Sequence, residues 1–73
     1  MEEKILSIMK EVFGTVDIDR TVSQKNCGKW DSMAQLNLAI ELETEFDITL
    51  EPEEIGEMKC FDDVVRTIEG KLK

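Results

Sequence analysis

Apolar residues recur along this chain with the spacing of helices. Between Glu2 and Phe13, Ile5, Met9 and Val12 fall at i, i+4 and i+7, and Leu6 and Phe13 widen the stripe. Glu2, Glu3, Lys4, Lys10 and Glu11 leave the opposite face charged. Gly14 follows at once, where a helix C-cap favours glycine. A second helical pattern starts at Ser32 and runs to Glu45, about 21 Å at 1.5 Å per residue. Its apolar residues make two sets, Met33, Leu36, Ile40 and Leu38, Leu42, Phe46, so it is expected to pack against several neighbours. Ser32 stands at the expected N-cap. After the connector Asp47 to Glu51, Pro52 suits the first turn of a short helix ending at Met58, with Glu53 and Glu54 at its positive end. Gly56 weakens that helix by about 1 kcal/mol relative to Ala. Phe61, Val64, Val65, Ile68 and Leu72 define a last helix, Phe61 to Leu72, with Gly70 in its final turn. No stretch alternates as a strand would. The expected fold is all-α: a small four-helix bundle of three longer helices, one short third helix and a long first loop.

That loop, Thr15 to Asp31, carries Val16, Ile18 and Val22 without helical period, and these are expected to pin it to the core. An unstructured connection longer than about 12 residues is uncommon in a compact domain and is often functional. Asp17 and Asp19 invite a calcium-loop reading, which fails on spacing. The fifth position is Thr21, the glycine position holds Val22, and the twelfth holds Gly28 where a bidentate Glu is needed.

Seventy-three residues are expected to form one domain, 1–73. A net charge of −8 opposes nucleic acid and anionic membrane surfaces and favours partners with basic patches. No run of about 20 apolar residues is present, so no membrane insertion is expected. The N-terminus lacks a signal-peptide layout. Cys27 and Cys60 are read as reduced thiols of a cytoplasmic monomer.

The chain has no histidine, so Ser-His and Cys-His nucleophile pairs are impossible and histidine-ligated zinc is excluded. Its glycines form no phosphate-cradling loop. Neither a catalytic residue nor a metal site is expected, and the chain is not read as an enzyme. Ser32 has no evident base to activate it. A serine at a helix start nevertheless lies where unpaired N–H groups and the helix dipole favour a phosphate. It is better understood as a substrate of another enzyme.

The run Asp31-Ser32-Met33 resembles the Asp-Ser-Leu motif of the acyl carrier protein family, with Met in place of Leu. The likeness continues through Leu36-x-Leu38-x-Ile40-x-Leu42-Glu43-x-Glu45-Phe46-Asp47-Ile48. It extends to Leu50-Glu51-Pro52-Glu53-Glu54-Ile55 and to Phe61-Asp62-Asp63-Val64-Val65, so it covers nearly the whole chain. The resemblance implies a 4′-phosphopantetheine covalently attached to Ser32 by a phosphopantetheinyl transferase. The arm would present acyl or aminoacyl thioesters to separate ligases and transferases with basic docking patches. The same resemblance implies partner contacts at Asp31, Met33, Glu43, Glu54 and Ile55.

Charge patterning agrees with such a role. Nine acids and no base lie between Asp31 and Met58. Glu41, Glu43 and Glu45 stand against the dipole in the C-terminal half of their helix. Ala34 and Asn37 occupy first-turn positions that are usually acidic in fatty-acid carriers, and both are expected to face a docking partner. Trp30 replaces the small residue often found before the Asp. These departures point to a dedicated carrier for a specialised pathway. The alternative is an unmodified acidic helical module that binds a basic partner.

Overall fold

The structure, a computed structural model, describes residues 2–15 and 17–73; the expected anchoring of the loop by Val16 lies outside the described residues. Four helices follow in order: α1 Glu2–Phe13, α2 Ser32–Phe46, α3 Pro52–Glu57 and α4 Phe61–Leu72. The expected all-α architecture is observed. α2 runs one residue further than its pattern suggested, α3 ends one residue earlier, and Gly70 does not shorten α4.

α1 and α2 stop with the same geometry. Gly14 takes a left-handed φ of 67°, and Thr15 N–H reaches back to Lys10 O at 3.2 Å. After α2, Asp47 does the same work with φ 53°, and Ile48 N–H reaches Glu43 O at 3.1 Å. A left-handed residue followed by this long backward bond satisfies the last carbonyls and turns the chain sharply. Gly14 adopts that conformation without steric cost, and Asp47 does not.

α1 packs mainly along α2 and also against α4, while α3 touches α2. Ile5, Met9, Leu38, Leu42, Met58, Phe61, Val64 and Ile68 fill the centre and are sealed from solvent. Ile8, absent from the predicted stripe, is buried as well. The loop between α1 and α2 is not structureless. Asp19 Oδ1 accepts from Thr21 N–H at 2.9 Å, and Asn26 bridges Ser23 N–H at 2.9 Å and Thr21 O at 2.8 Å. Gln24 N–H donates to Lys59 O at 2.9 Å and Phe61 N–H to Val22 O at 3.0 Å, a single antiparallel bridge that stitches the loop to the start of α4. Cys27 is buried under the loop and Cys60 half-buried, and both are free.

α3 has no buried residue. Its position depends on Gln35 of α2, a buried polar side chain. The Gln35 amide nitrogen donates to Ile55 O and, at 3.0 Å, to Met58 O, and its oxygen accepts from the Trp30 indole N–H. Trp30 is itself buried, with its ring 5.2 Å from that of Phe13. One amide therefore joins the loop, α2 and α3.

Two substitutions test this account. Gln35→Leu keeps the volume but strands the indole N–H and two carbonyls, each worth roughly 1–3 kcal/mol if water cannot reach it. Water reaches the outer carbonyl, so the urea-unfolding free energy is expected to fall by about 2–4 kcal/mol. Asp47→Gly relieves the left-handed residue and removes a carboxylate from the negative end of α2. A gain of about 0.5 kcal/mol is expected after the extra chain entropy of glycine is counted. A loss there would show that the Asp47 side chain has an unaccounted stabilising role.

Candidate functional site

Asp31, not Ser32, is the N-cap of α2. Its backbone is extended, and its carboxylate accepts from Ala34 N–H at 2.9 Å. Ser32 is the first helical residue and is exposed. The expectation failed by one position because both residues are good caps, and the carboxylate gains further from the positive helix end. The consequence is chemical. The cap bond falls to Asp31, and the Ser32 hydroxyl stands on the first turn of a 15-residue helix whose initial N–H groups point toward it.

The two apolar sets of α2 have opposite fates. Leu38 and Leu42 enter the core, and Phe46 packs against it. Met33, Leu36 and Ile40 lie in solvent, at 71%, 56% and 57% exposure. They form an apolar ridge that starts beside Ser32 and runs down the helix. Ala34, expected to face a partner, is buried against the bundle and takes no part in this surface. Asn37 is exposed beside the ridge.

The other sequence-predicted contact residues are less free than Met33. Glu43 is half-buried, and its Oε2 accepts from Leu50 N–H at 2.8 Å, which holds the connector to α3. Glu54 Oε1 accepts from Glu51 N–H at 2.9 Å and pairs with Lys71 Nζ at 2.7 Å. Ile55 is half-buried and packs on the core. Asp31 and Met33 thus flank Ser32 directly, whereas Glu43, Glu54 and Ile55 also secure α3. The acidic stretch is interrupted in space: Lys71 from α4 meets Glu54, and Lys4 from α1 meets Glu45 at 3.3 Å.

Beside Ser32 lies an open cleft of about 460 Å³, walled by Gln24, Trp30, Gln35, Leu36 and Gly56. Sequence reasoning missed Gln35 and the wall at Gly56, because neither belongs to a periodic or charged pattern. Among the described residues, no group of three Cys, Asp or Glu side chains is arranged to hold a metal ion. No helix among them is long and apolar enough to cross a membrane.

No family model matches the chain, and no curated relative matches it by sequence. Solved structures do. The solution structure of a holo acyl carrier protein from Geobacter metallireducens superposes with a TM-score of 0.85 at 26% identity, covering 97% of this chain and 84% of that one. The crystal structure of an acyl carrier protein from Thermotoga maritima superposes with a TM-score of 0.79 at 28% identity, covering 96% of this chain and 84% of that one.

Glu54 gives the site a pH dependence. The hydrogen bond from Lys71, then that from Glu51 N–H, holds its carboxyl below the ordinary value of 4.5. A carboxyl depressed in the folded state stabilises above its unfolded pKa and loses that contribution as pH falls through the folded value. The stability gap between wild type and Glu54→Gln is therefore expected to be constant above about pH 4.5 and to close below it, with amide exchange in α3 following the same course. A gap that persists at low pH would show that charge is not what the tether supplies.

Proposed function

We propose that this chain, which has the acyl carrier protein fold, holds acyl or aminoacyl cargo on a 4′-phosphopantetheine arm esterified to Ser32. The observation that carries this reading is the exposed Ser32 hydroxyl on the first turn of α2, relieved of capping by Asp31 and bordered by exposed Met33. The residues present suit the group. A phosphodiester at the first helical position faces the unpaired N–H groups and the positive end of the dipole, a location where anions are favoured. When bound, the arm supplies a terminal thiol that carries cargo as a thioester.

The chain's own residues position and present. Asp31 fixes the start of α2 and so the direction of Ser32 Oγ. Its Oδ1 accepts from Ala34 N–H, which leaves Oδ2 free for a further contact. The transferase supplies the base that takes the hydroxyl proton. Met33, Leu36 and Ile40 offer an apolar strip to a docking enzyme, and the exposed acids Glu41, Glu53 and Glu57 steer one with a basic surface. With Ala34 buried, the narrower partner set rests on Asn37 alone of that pair, since only Asn37 meets an incoming surface.

Incubation with coenzyme A, magnesium and a broad-specificity phosphopantetheinyl transferase is expected to add one phosphopantetheine to the intact mass. Ser32→Ala is expected to abolish that addition while leaving helix content unchanged, since Ser32 is not the cap. Modification at another residue, or none with several transferases, would refute the carrier reading and leave the unmodified partner-binding module.

A further inference from the structure

We propose that the groove between α1 and α2 is a seat for one arginine of a partner protein, so that the docking surface continues from the α2 ridge onto α1. The proposal does not depend on a group at Ser32. It adds a second site and the chemistry of its occupant. The groove holds about 330 Å³ and is lined by Glu11 and Val12 of α1 and by Asn37, Ile40 and Glu41 of α2, with no residue from α3. Val12 is half-buried and packs on the core, and Ile40 is 57% exposed, so these two give the groove an apolar floor. Glu11, Asn37 and Glu41 are exposed around it. Ile40 is also the last residue of the ridge that begins at Met33, and one apolar strip therefore leads from beside Ser32 to α1.

Charge decides what fits. At one end of the α1–α2 seam, Lys4 of α1 meets Glu45 of α2 at 3.3 Å. Two turns further along α1, the same seam has an acid on each helix, Glu11 and Glu41. Among the described residues neither takes part in an ion pair. Like charges on the two walls of one groove repel, and nothing inside the fold offsets that repulsion. A cation from outside does. A hydrated metal ion would leave Val12 and Ile40 uncovered, and two carboxylates do not complete its coordination sphere. A guanidinium has five donors in a planar fork, enough for both carboxylates and the Asn37 carbonyl, and its methylene stem covers the apolar floor. An ammonium is a compact, strongly hydrated charge and matches such a spread of acceptors less well. A partner helix with apolar residues over Met33 and Leu36, and its arginine one turn further on, matches the whole surface.

The test titrates the unmodified protein with a short lactam-stapled helical peptide that has leucines along one face and a single arginine one turn beyond them. A second peptide replaces that arginine by citrulline, which keeps the stem and the shape and removes the charge. NMR follows the Val12 and Ile40 methyls and the Asn37 side-chain amide. The arginine peptide is expected to move all three signals, and the citrulline peptide to bind about tenfold more weakly, as the loss of two exposed charge contacts allows. Glu11→Gln and Glu41→Gln are each expected to weaken the arginine peptide about threefold and to leave the citrulline peptide unaffected. Glu69→Gln, which removes one exposed acid from α4, is the control for net charge and is expected to change neither. All three substitutions are at exposed positions and keep the shape of the side chain, and the citrulline comparison needs no change in the protein at all. Absence of binding, equal binding of the citrulline peptide, shifts confined to Ile55 and Gly56 of α3, or a Glu11→Gln effect no larger than that of Glu69→Gln would overturn the proposal. None of these readings involves Ser32, so the mass change on treatment with the transferase decides the carrier reading separately.

Discussion

The arrangement around Ser32 depends on one buried amide. α3 is six residues long, contains a glycine and buries no side chain completely. A helix of that length has no stability of its own in water. It stays in place because Ile55 packs on the core and polar groups hold it from three sides: Gln35 from α2, Lys71 from α4 through Glu54, and Glu43 through the connector at Leu50. Gln35 is the central one, since the same amide also fixes Trp30 and so the end of the loop that delivers Asp31 and Ser32. A hydrophobic residue at position 35 would fill the space and lose the register between loop, α2 and α3. The fold gives up some burial there and gains a defined geometry.

Charge acts differently in space than along the chain. Read linearly, nine acids between Asp31 and Met58 face no base. Folded, Lys4 and Lys71 arrive from the two outer helices and pair with Glu45 and Glu54. What remains unpaired and exposed includes Glu41, Glu53 and Glu57 along α2 and α3. The exposed ridge of Met33, Leu36 and Ile40 shares α2 with Glu41, while Glu53 and Glu57 belong to α3. An apolar strip on a surface that also exposes acids has the composition expected of a transient docking surface: the acids speed encounter, and the strip supplies contact once orientation is right.

Much of this was legible in the sequence, and what was not has identifiable causes. The helices α1 and α4 each have one apolar stripe, so their limits followed from period, as did their inward faces except at Ile8, which the stripe omitted and which is buried, and at Leu72, which the stripe included and which is exposed; Gly14 marked the first stop. α2 has two apolar sets, and period cannot say which is buried. The answer lay in small residues: Ala34 and Ala39 flank Leu38 and Leu42 and let α2 approach the bundle closely, whereas the larger Met33, Leu36 and Ile40 are left outside. Counting hydrophobic bulk favours the wrong face as readily as the right one. Gln35 was invisible for the same kind of reason, since an amide in a helix is ordinarily a solvent residue and only its three partners, two of them 20 or more positions away, make it structural. The resemblance read from Asp31-Ser32-Met33 pointed to the fold that the solved carriers share, and it carried no information about Gln35.

The one-residue difference between Asp31 and Ser32 as cap shapes what the site can do. A capping serine would have its oxygen bound to a backbone N–H, and esterifying it would put at risk a bond worth about 1 kcal/mol at the start of the longest helix. With Asp31 as cap, that bond is independent of Ser32, and a phosphate added at Ser32 meets N–H groups that the cap leaves over. The carboxylate and a phosphodiester would repel each other across adjacent residues, a repulsion softened by exposure to water and salt. Esterification at Ser32, as proposed, would therefore leave the helix intact, because Asp31 at its start and Gln35 one turn below keep their bonds independently of the Ser32 hydroxyl.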